Sequence, residues 1–164
     1  TKNHDIIPAL VDLLDRSSCT SGLFVSSFDI DLLSELKRRT PNISCAYAFL
    51  DNERLDQIIK NNSKAKFDFK VIRKSLVDHI DCAAALGFDQ INFRWSVLTP
   101  ELVNYAHQHG LLVNSYVVDE QAAMLHLVKM GVDGIITNYP NLLLNIVANI
   151  WAKSVSQIRV IYAL

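Results

Sequence analysis

Apolar residues recur along this chain at two spacings. Five short runs are rich in β-branched and aromatic residues: Leu23–Phe28 (LFVSSF), Ile43–Leu50 (ISCAYAFL), Phe88–Leu98 (FDQINFRWSVL), Leu111–Val118 (LLVNSYVV) and Val132–Thr137 (VDGIIT). Each is bounded by turn residues, and together they predict five strands. Between them, apolar residues return every three or four positions, the spacing of one helix face. Such segments cover 4–16, 30–39, 69–86, a stretch opened by Thr99-Pro100-Glu101, 120–130 and 141–152, with a shorter one at 53–61 followed by the polar loop NNSKAK. Pro8 confines the first helix to starting nearby or bending. In 30–39, Leu32, Leu33 and Leu36 share a face, Asp29 is placed to cap the start, and basic residues fill the last turn. Asp119 stands in the corresponding place before the helix carrying Met124, Leu127 and Val128. Gly22, Gly87, Gly110 and Gly131 each follow a helix-like stretch and precede a run, where a left-handed residue ends a helix.

Strands alternating with helices through short loops give a parallel sheet with right-handed crossovers. Two architectures fit: an open doubly wound sheet, or part of a (β/α)₈ barrel. A complete barrel takes about 250 residues, and five strands in 164 residues fall three units short of one.

Composition narrows the field. Half of the residues are hydrophobic and 20% are charged, enough to bury a core and not the balance of a disordered chain. With 16 Lys and Arg against 17 Asp and Glu, there is no basic surplus for a nucleic-acid footprint. No apolar stretch reaches the ~18 residues of a membrane span; the run Leu142–Val147 is broken by Asn145 and followed by Asn149. Cys19, Cys45 and Cys82 form no CxxC and are odd in number, so reduced thiols are expected. The first twenty residues lack the apolar core of a signal peptide, which makes the cytoplasm the default location. The chain opens on Thr1, and its methionines are Met124 and Met130; the expectation is a cut N-terminus and a piece of a longer product.

Residues 110–144, GLLVNSYVVDEQAAMLHLVKMGVDGIITNYPNLLL, resemble the last two βα units of the glycerophosphodiester phosphodiesterase family. That family's pattern is a strand ending Trp-Thr-Val-Asn, a helix, then Gly-Val-Asp-Gly-Ile-Ile-Thr-Asp-x-Pro. Here Tyr116-Val117-Val118-Asp119 takes the place of the first motif, and Gly131–Pro140 matches the second with Asn138 for Asp. Val25-Ser26-Ser27-Phe28-Asp29 is similar to the family's Ser-Ser-Phe strand end, and Leu98–Val103 to its helix start. The resemblance covers about 22–148 and implies a partial TIM-type barrel. Residues 1–152 would supply strands four to eight, without the first three βα units, and 153–164 would be a tail that the sequence leaves unplaced.

The resemblance implies hydrolysis of a glycerophosphodiester to an alcohol and glycerol 3-phosphate, with a divalent cation, Mg or Ca, in the full-length family. Its chemistry rests on a His-Arg-Gly strand end, a later His-Asp, a Glu-x-Asp pair and a Glu-x-Lys strand. His-Arg-Gly, Glu-x-Asp and Glu-x-Lys do not occur here, and His4-Asp5 stands ahead of an amphipathic helix rather than at a strand end. The chain alone is therefore expected to carry no catalytic residue, no metal ligand and no cofactor. His79, His107, His109 and His126 fall in helices, and His107 and His109, two apart, face different ways. Asp29 and Asp119 read first as helix caps, Asp133 as a turn residue.

What remains at the ends of strands is a pocket wall. Tyr116 inherits, by resemblance, the substrate-lining role of the motif's Trp. Phe28 and Trp95 could join it as an apolar surface for a glycerol chain, and Arg94 could meet a phosphate. The expected ligand is a small glycerophosphodiester once the barrel is completed; a non-catalytic binding or scaffold module derived from the family is the alternative. Two open sheet edges, at 23–28 and 134–137, would favour self-association or pairing with a chain that carries the missing strands. Val155–Leu164 is an apolar segment that could cover one of them.

Overall fold

The computed structural model describes residues 6–17, 22–49, 69–151 and 159–162. The helix expected at 53–61, its polar loop, His4-Asp5, Cys19 and Asp51 lie outside the described residues. The elements run α1 (Ile6–Arg16), β1 (Phe24–Ser27), α2 (Ile30–Arg39), β2 (Ser44–Phe49), α3 (Phe69–Ala85), β3 (Gln90–Arg94), a 3-10 turn (Trp95–Val97), α4 (Pro100–Gln108), β4 (Leu112–Tyr116), α5 (Gln121–Met130), β5 (Gly134–Thr137), α6 (Pro140–Trp151) and β6 (Arg159–Tyr162).

Local chemistry sets several of these boundaries. The Asp29 carboxylate accepts the N–H groups of Asp31 and Leu32, opening α2 as its sequence predicts. Thr99 does the same for Leu102, with Pro100 in the first turn of α4, where a missing N–H costs nothing. Pro8 falls in the first turn of α1 for the same reason. Gly131, at φ 88°, takes the left-handed position that ends α5.

The strands form one parallel sheet in the order β1-β2-β3-β4-β5-β6. Consecutive strands are neighbours throughout, with no reversal of order of the kind a doubly wound sheet requires. Alternate residues face the helices. Cys45, Tyr47 and Phe49, Ile91 and Phe93, Val113 and Ile135 pack in one cluster with Leu33, Leu36, Ile80, Val103, Met124, Leu127 and Leu143 from the helices. Of the described helices all but α1 contribute buried residues to this cluster, and α1 packs against it through Leu10, Val11 and Leu14. A single helical layer over a parallel sheet of sequential order is a segment of a TIM-type barrel. The partial-barrel expectation is met.

Two expectations are corrected. The run Phe88–Leu98 is not strand to its end: β3 stops at Arg94, opposite Tyr116, the last residue of β4. Beyond that row the chain turns through Trp95–Val97 toward the Thr99 cap. The strand at 134–137 is not an open edge, because β6 pairs with all four of its residues.

At the N-terminal ends of the strands one device occurs twice. Gly87-Phe88-Asp89 and Gly131-Val132-Asp133 each carry a carboxylate back to the start of the preceding strand. Asp89 accepts the Cys45 N–H at 2.9 Å and meets Lys37 Nζ of α2 at 2.8 Å. Asp133 accepts the Val113 N–H at 2.8 Å and meets His107 Nε2 of α4 at 2.7 Å. Each carboxylate thus ties a helix, the strand after it and the next unit together. Asp133→Ala removes a charged acceptor from a backbone N–H and is expected to cost about 2 kcal/mol; Asp133→Asn, which keeps one acceptor oxygen, is expected to cost less. Urea unfolding measures both, and equal midpoints for Asp133→Ala and the parent would contradict the latch.

The described thiols are free: Cys82 is exposed, and Cys45 is buried beneath the helices. Burial pushes the Cys45 thiol up to about 11, which makes it an inert packing group.

Candidate functional site

In a parallel barrel, chemistry belongs at the C-terminal ends of the strands. Here β1 and β5 leave the sheet by the same local turn. The Ser27 hydroxyl accepts the Asp29 N–H at 3.0 Å, and the Thr137 hydroxyl accepts the Tyr139 N–H at 2.9 Å. In each case the intervening residue, Phe28 or Asn138, is left exposed at the mouth.

Tyr116, at the end of β4, reaches across β3 to donate its hydroxyl proton to the Phe49 carbonyl at the end of β2, 2.9 Å away. Phe28 meets the Tyr116 ring edge to face, with centroids 6.1 Å apart and planes at 81°. Two of the three aromatic residues singled out in the sequence therefore converge, drawing together the ends of β1, β2 and β4. Trp95 belongs to the 3-10 turn beyond β3 and is 38% exposed. Arg94 lies opposite Tyr116 in the register, so the two share the concave face, and it is half-buried.

Asp119 is not the cap of α5, contrary to the sequence expectation. The capping position is Glu120, whose side chain makes no capping bond. Asp119 instead spans to the end of β5. One of its oxygens accepts the Thr137 hydroxyl at 3.1 Å and the Asn138 N–H at 2.9 Å; the other accepts the Asn138 side-chain amide at 2.9 Å. These bonds, the Asn138 side chain first, hold the Asp119 carboxyl below its ordinary 3.8. Asp119 and Asn138 thus form a carboxylate–amide pair that joins the segment after β4 to the end of β5.

Beneath the mouth lies a feature that the strand periodicity hid. On the concave face Asn114 donates its side-chain amide to both Gln90 Oε1 and Asn92 Oδ1 at 2.8 Å. Gln90 in turn donates to Ser44 Oγ at 2.7 Å, and Asn92 to Ser26 Oγ at 2.9 Å. This ladder crosses four strands, and its three amides are buried. Ala46, Ala48 and Gly134 share the face and leave it room. The signal in the sequence was Gln90, Asn92 and Asn114 at even spacing within otherwise apolar strands. The Asn114 side-chain oxygen is buried without a hydrogen-bond donor.

The described residues do not make up a divalent-cation site. Among them no three His, Cys, Asp or Glu side chains gather, and two carboxylates at this end are engaged, Asp29 at a helix start and Asp119 with Thr137 and Asn138. The described histidines lie in the helical layer. His79 packs on the rings of Tyr47 and Phe49. His107 binds Asp133, and His109 lies against Tyr105 and Asp81, so the pair indeed faces two ways.

A parallel sheet with sequential strands, one helical layer and a mouth of aromatic and polar strand ends defines a TIM-type barrel segment of the kind that hosts small-molecule chemistry. The chain matches the model of the glycerophosphoryl diester phosphodiesterase family over residues 2–142, and it belongs to that family. It is 42% identical over 48 residues to a glycerophosphodiester phosphodiesterase of Bacillus subtilis (strain 168), a match covering 29% of this chain and 16% of that protein. A solved structure described as a glycerophosphoryl diester phosphodiesterase, from Silicibacter pomeroyi DSS-3, superposes with a TM-score of 0.70 at 26% identity, over 90% of this chain and 45% of its own. A glycerophosphodiester phosphodiesterase of Parabacteroides distasonis ATCC 8503 shares the fold with a TM-score of 0.64 at 22% identity, over 90% and 52%. The chain thus spans about half the length of these solved relatives. Among the described residues no helix is long and apolar enough to cross a membrane.

Proposed function

We propose that this chain is the later part of a glycerophosphodiester phosphodiesterase barrel, β1–β5 corresponding to strands four to eight. The observation that carries this is the sequential parallel sheet ending in the closing motif Gly131–Pro140, within a family match over residues 2–142. In the complete ring the substrate is a small glycerophosphodiester, and the products are an alcohol and glycerol 3-phosphate, a step of lipid turnover. Water attacks phosphorus, the ester oxygen leaves with a proton, and the developing charge must be met by donors and a cation. The acid, the base and the ligands for Mg or Ca come from the first three units. This chain supplies the frame and one wall: Phe28 and Tyr116 as the apolar surface for the glycerol carbons, Trp95 at its rim, and Arg94 as the positive group on the concave face.

The 164-residue chain alone, given glycerophosphocholine with Mg²⁺ or Ca²⁺, is expected to release no choline. Addition of a polypeptide carrying the first three βα units, with their His-Arg-Gly and Glu-x-Asp motifs, is expected to restore turnover. Turnover by the chain alone would overturn this division of labour.

A further inference from the structure

The edge of β5 is occupied. β6 runs parallel to β5 through four paired residues, Gly134↔Arg159 to Thr137↔Tyr162, and α6 packs against it. In an eight-stranded ring the last strand is hydrogen-bonded to the first, so the outer edge of the last strand is the seam at which the ring closes. With β1–β5 as the last five strands, a step that rests on the function proposed above, that seam lies along β5. We propose that β6 is a resident stand-in for the first strand: it fills the closing seam, and an extended strand from another part of a complete barrel pairs there only when β6 has left.

Three observations carry this. The pairing spans the whole of β5, so no part of the edge is left for a second strand. Its direction is parallel, the sense a first strand must have. The connection through α6 repeats the strand–helix–strand unit of the rest of the sheet, so β6 continues the curl in sequence. A ring has no spare position, because strand number, tilt and stagger are linked. Departure of β6 is a local opening, since its strand neighbour in the sheet is β5 alone.

The test uses the full chain, Val160→Pro and Ile161→Pro. Successive residues of a strand direct their N–H groups to opposite sides, so one of the two variants loses an N–H that faces β5. Circular dichroism and amide protection in β3 and β4 establish that each variant is folded, and a chain ending at Lys153 is a second way to free the edge. The probes are two labelled synthetic peptides, one of residues 155–164 and one of the first strand of the Bacillus subtilis relative. Both are expected to bind a freed-edge variant at least about tenfold more tightly than the parent, and to restore hydrogen-exchange protection at Gly134–Thr137. Equal binding to parent and variants, binding to neither, or undiminished β5 protection in all the variants would overturn the proposal. Capture of the 155–164 peptide alone would also overturn it, since the seam would then not be the first strand's place. None of these readouts involves turnover, so a failure of the phosphodiesterase reading is separately visible in the choline-release assay.

Discussion

Exchanging the residues at 119 and 138 together is expected to leave stability close to the parent's, whereas either single change lowers it. In Asp119→Asn one oxygen is lost as an acceptor, and the new amide faces the Asn138 amide, donor to donor. In Asn138→Asp two carboxylates face each other where one now accepts the bonds of Thr137 and Asn138. That second change is the more damaging, lowering the melting temperature by about 5 °C. The double variant restores a complementary pair: the amide introduced at position 119 accepts from the strand end through its oxygen and donates to the carboxylate introduced at 138. Thermal unfolding of all four proteins forms a double-mutant cycle, and additive losses would refute the idea of a single coupled exchange. The pH dependence has a definite sign. The Asp119 carboxyl is held below its ordinary 3.8, so its contribution is fully present above that value and is lost as pH falls through the lowered one. Asp119→Asn should therefore differ most from the parent at neutral pH and least in strong acid.

Asn114→Ala is expected to destabilise the chain more than either single change at the mouth. Its amide satisfies Gln90 and Asn92 together, and the site is fully buried. Truncation strands two buried acceptors and leaves a small void, at a cost of about 3 kcal/mol, a large share of the ~5–15 kcal/mol that holds a domain folded. Ser26→Ala, at the exposed end of the ladder, is expected to cost well under ~1 kcal/mol, because water replaces the lost partner. Chemical denaturation of both variants measures the contrast. Similar losses at the two positions would mean that the ladder does not act as a connected network.

The sheet was legible because its rules are local. Apolar runs, the Thr99-Pro100 start, the Asp29 cap and the glycine exits each act within a few residues, and α2 formed with the bounds its pattern predicts. What lay beyond the sequence was pairing between distant residues. Nothing near Asp119 distinguishes a cap from a brace; Thr137 and Asn138, at the end of the next strand, decide it. The end of β3 coincides with the end of β4, its partner across Arg94 and Tyr116, a register that its own residues do not reveal. The C-terminal run read as unplaced until the edge of β5 gave it a partner. Phe28 and Tyr116 could be singled out from their places at strand ends, while their contact had to come from the fold, and the amide ladder stayed hidden because each of its members, taken singly, reads as an ordinary strand residue.

The paired carboxylate latches of Asp89 and Asp133 have one more consequence. They fasten the sheet at the rim opposite the mouth. The latches and the aromatic mouth thereby sit at different ends of the same strands. A substitution at Tyr116 or in the Asp119–Asn138 pair therefore leaves the bonds that set strand alignment at the other rim untouched.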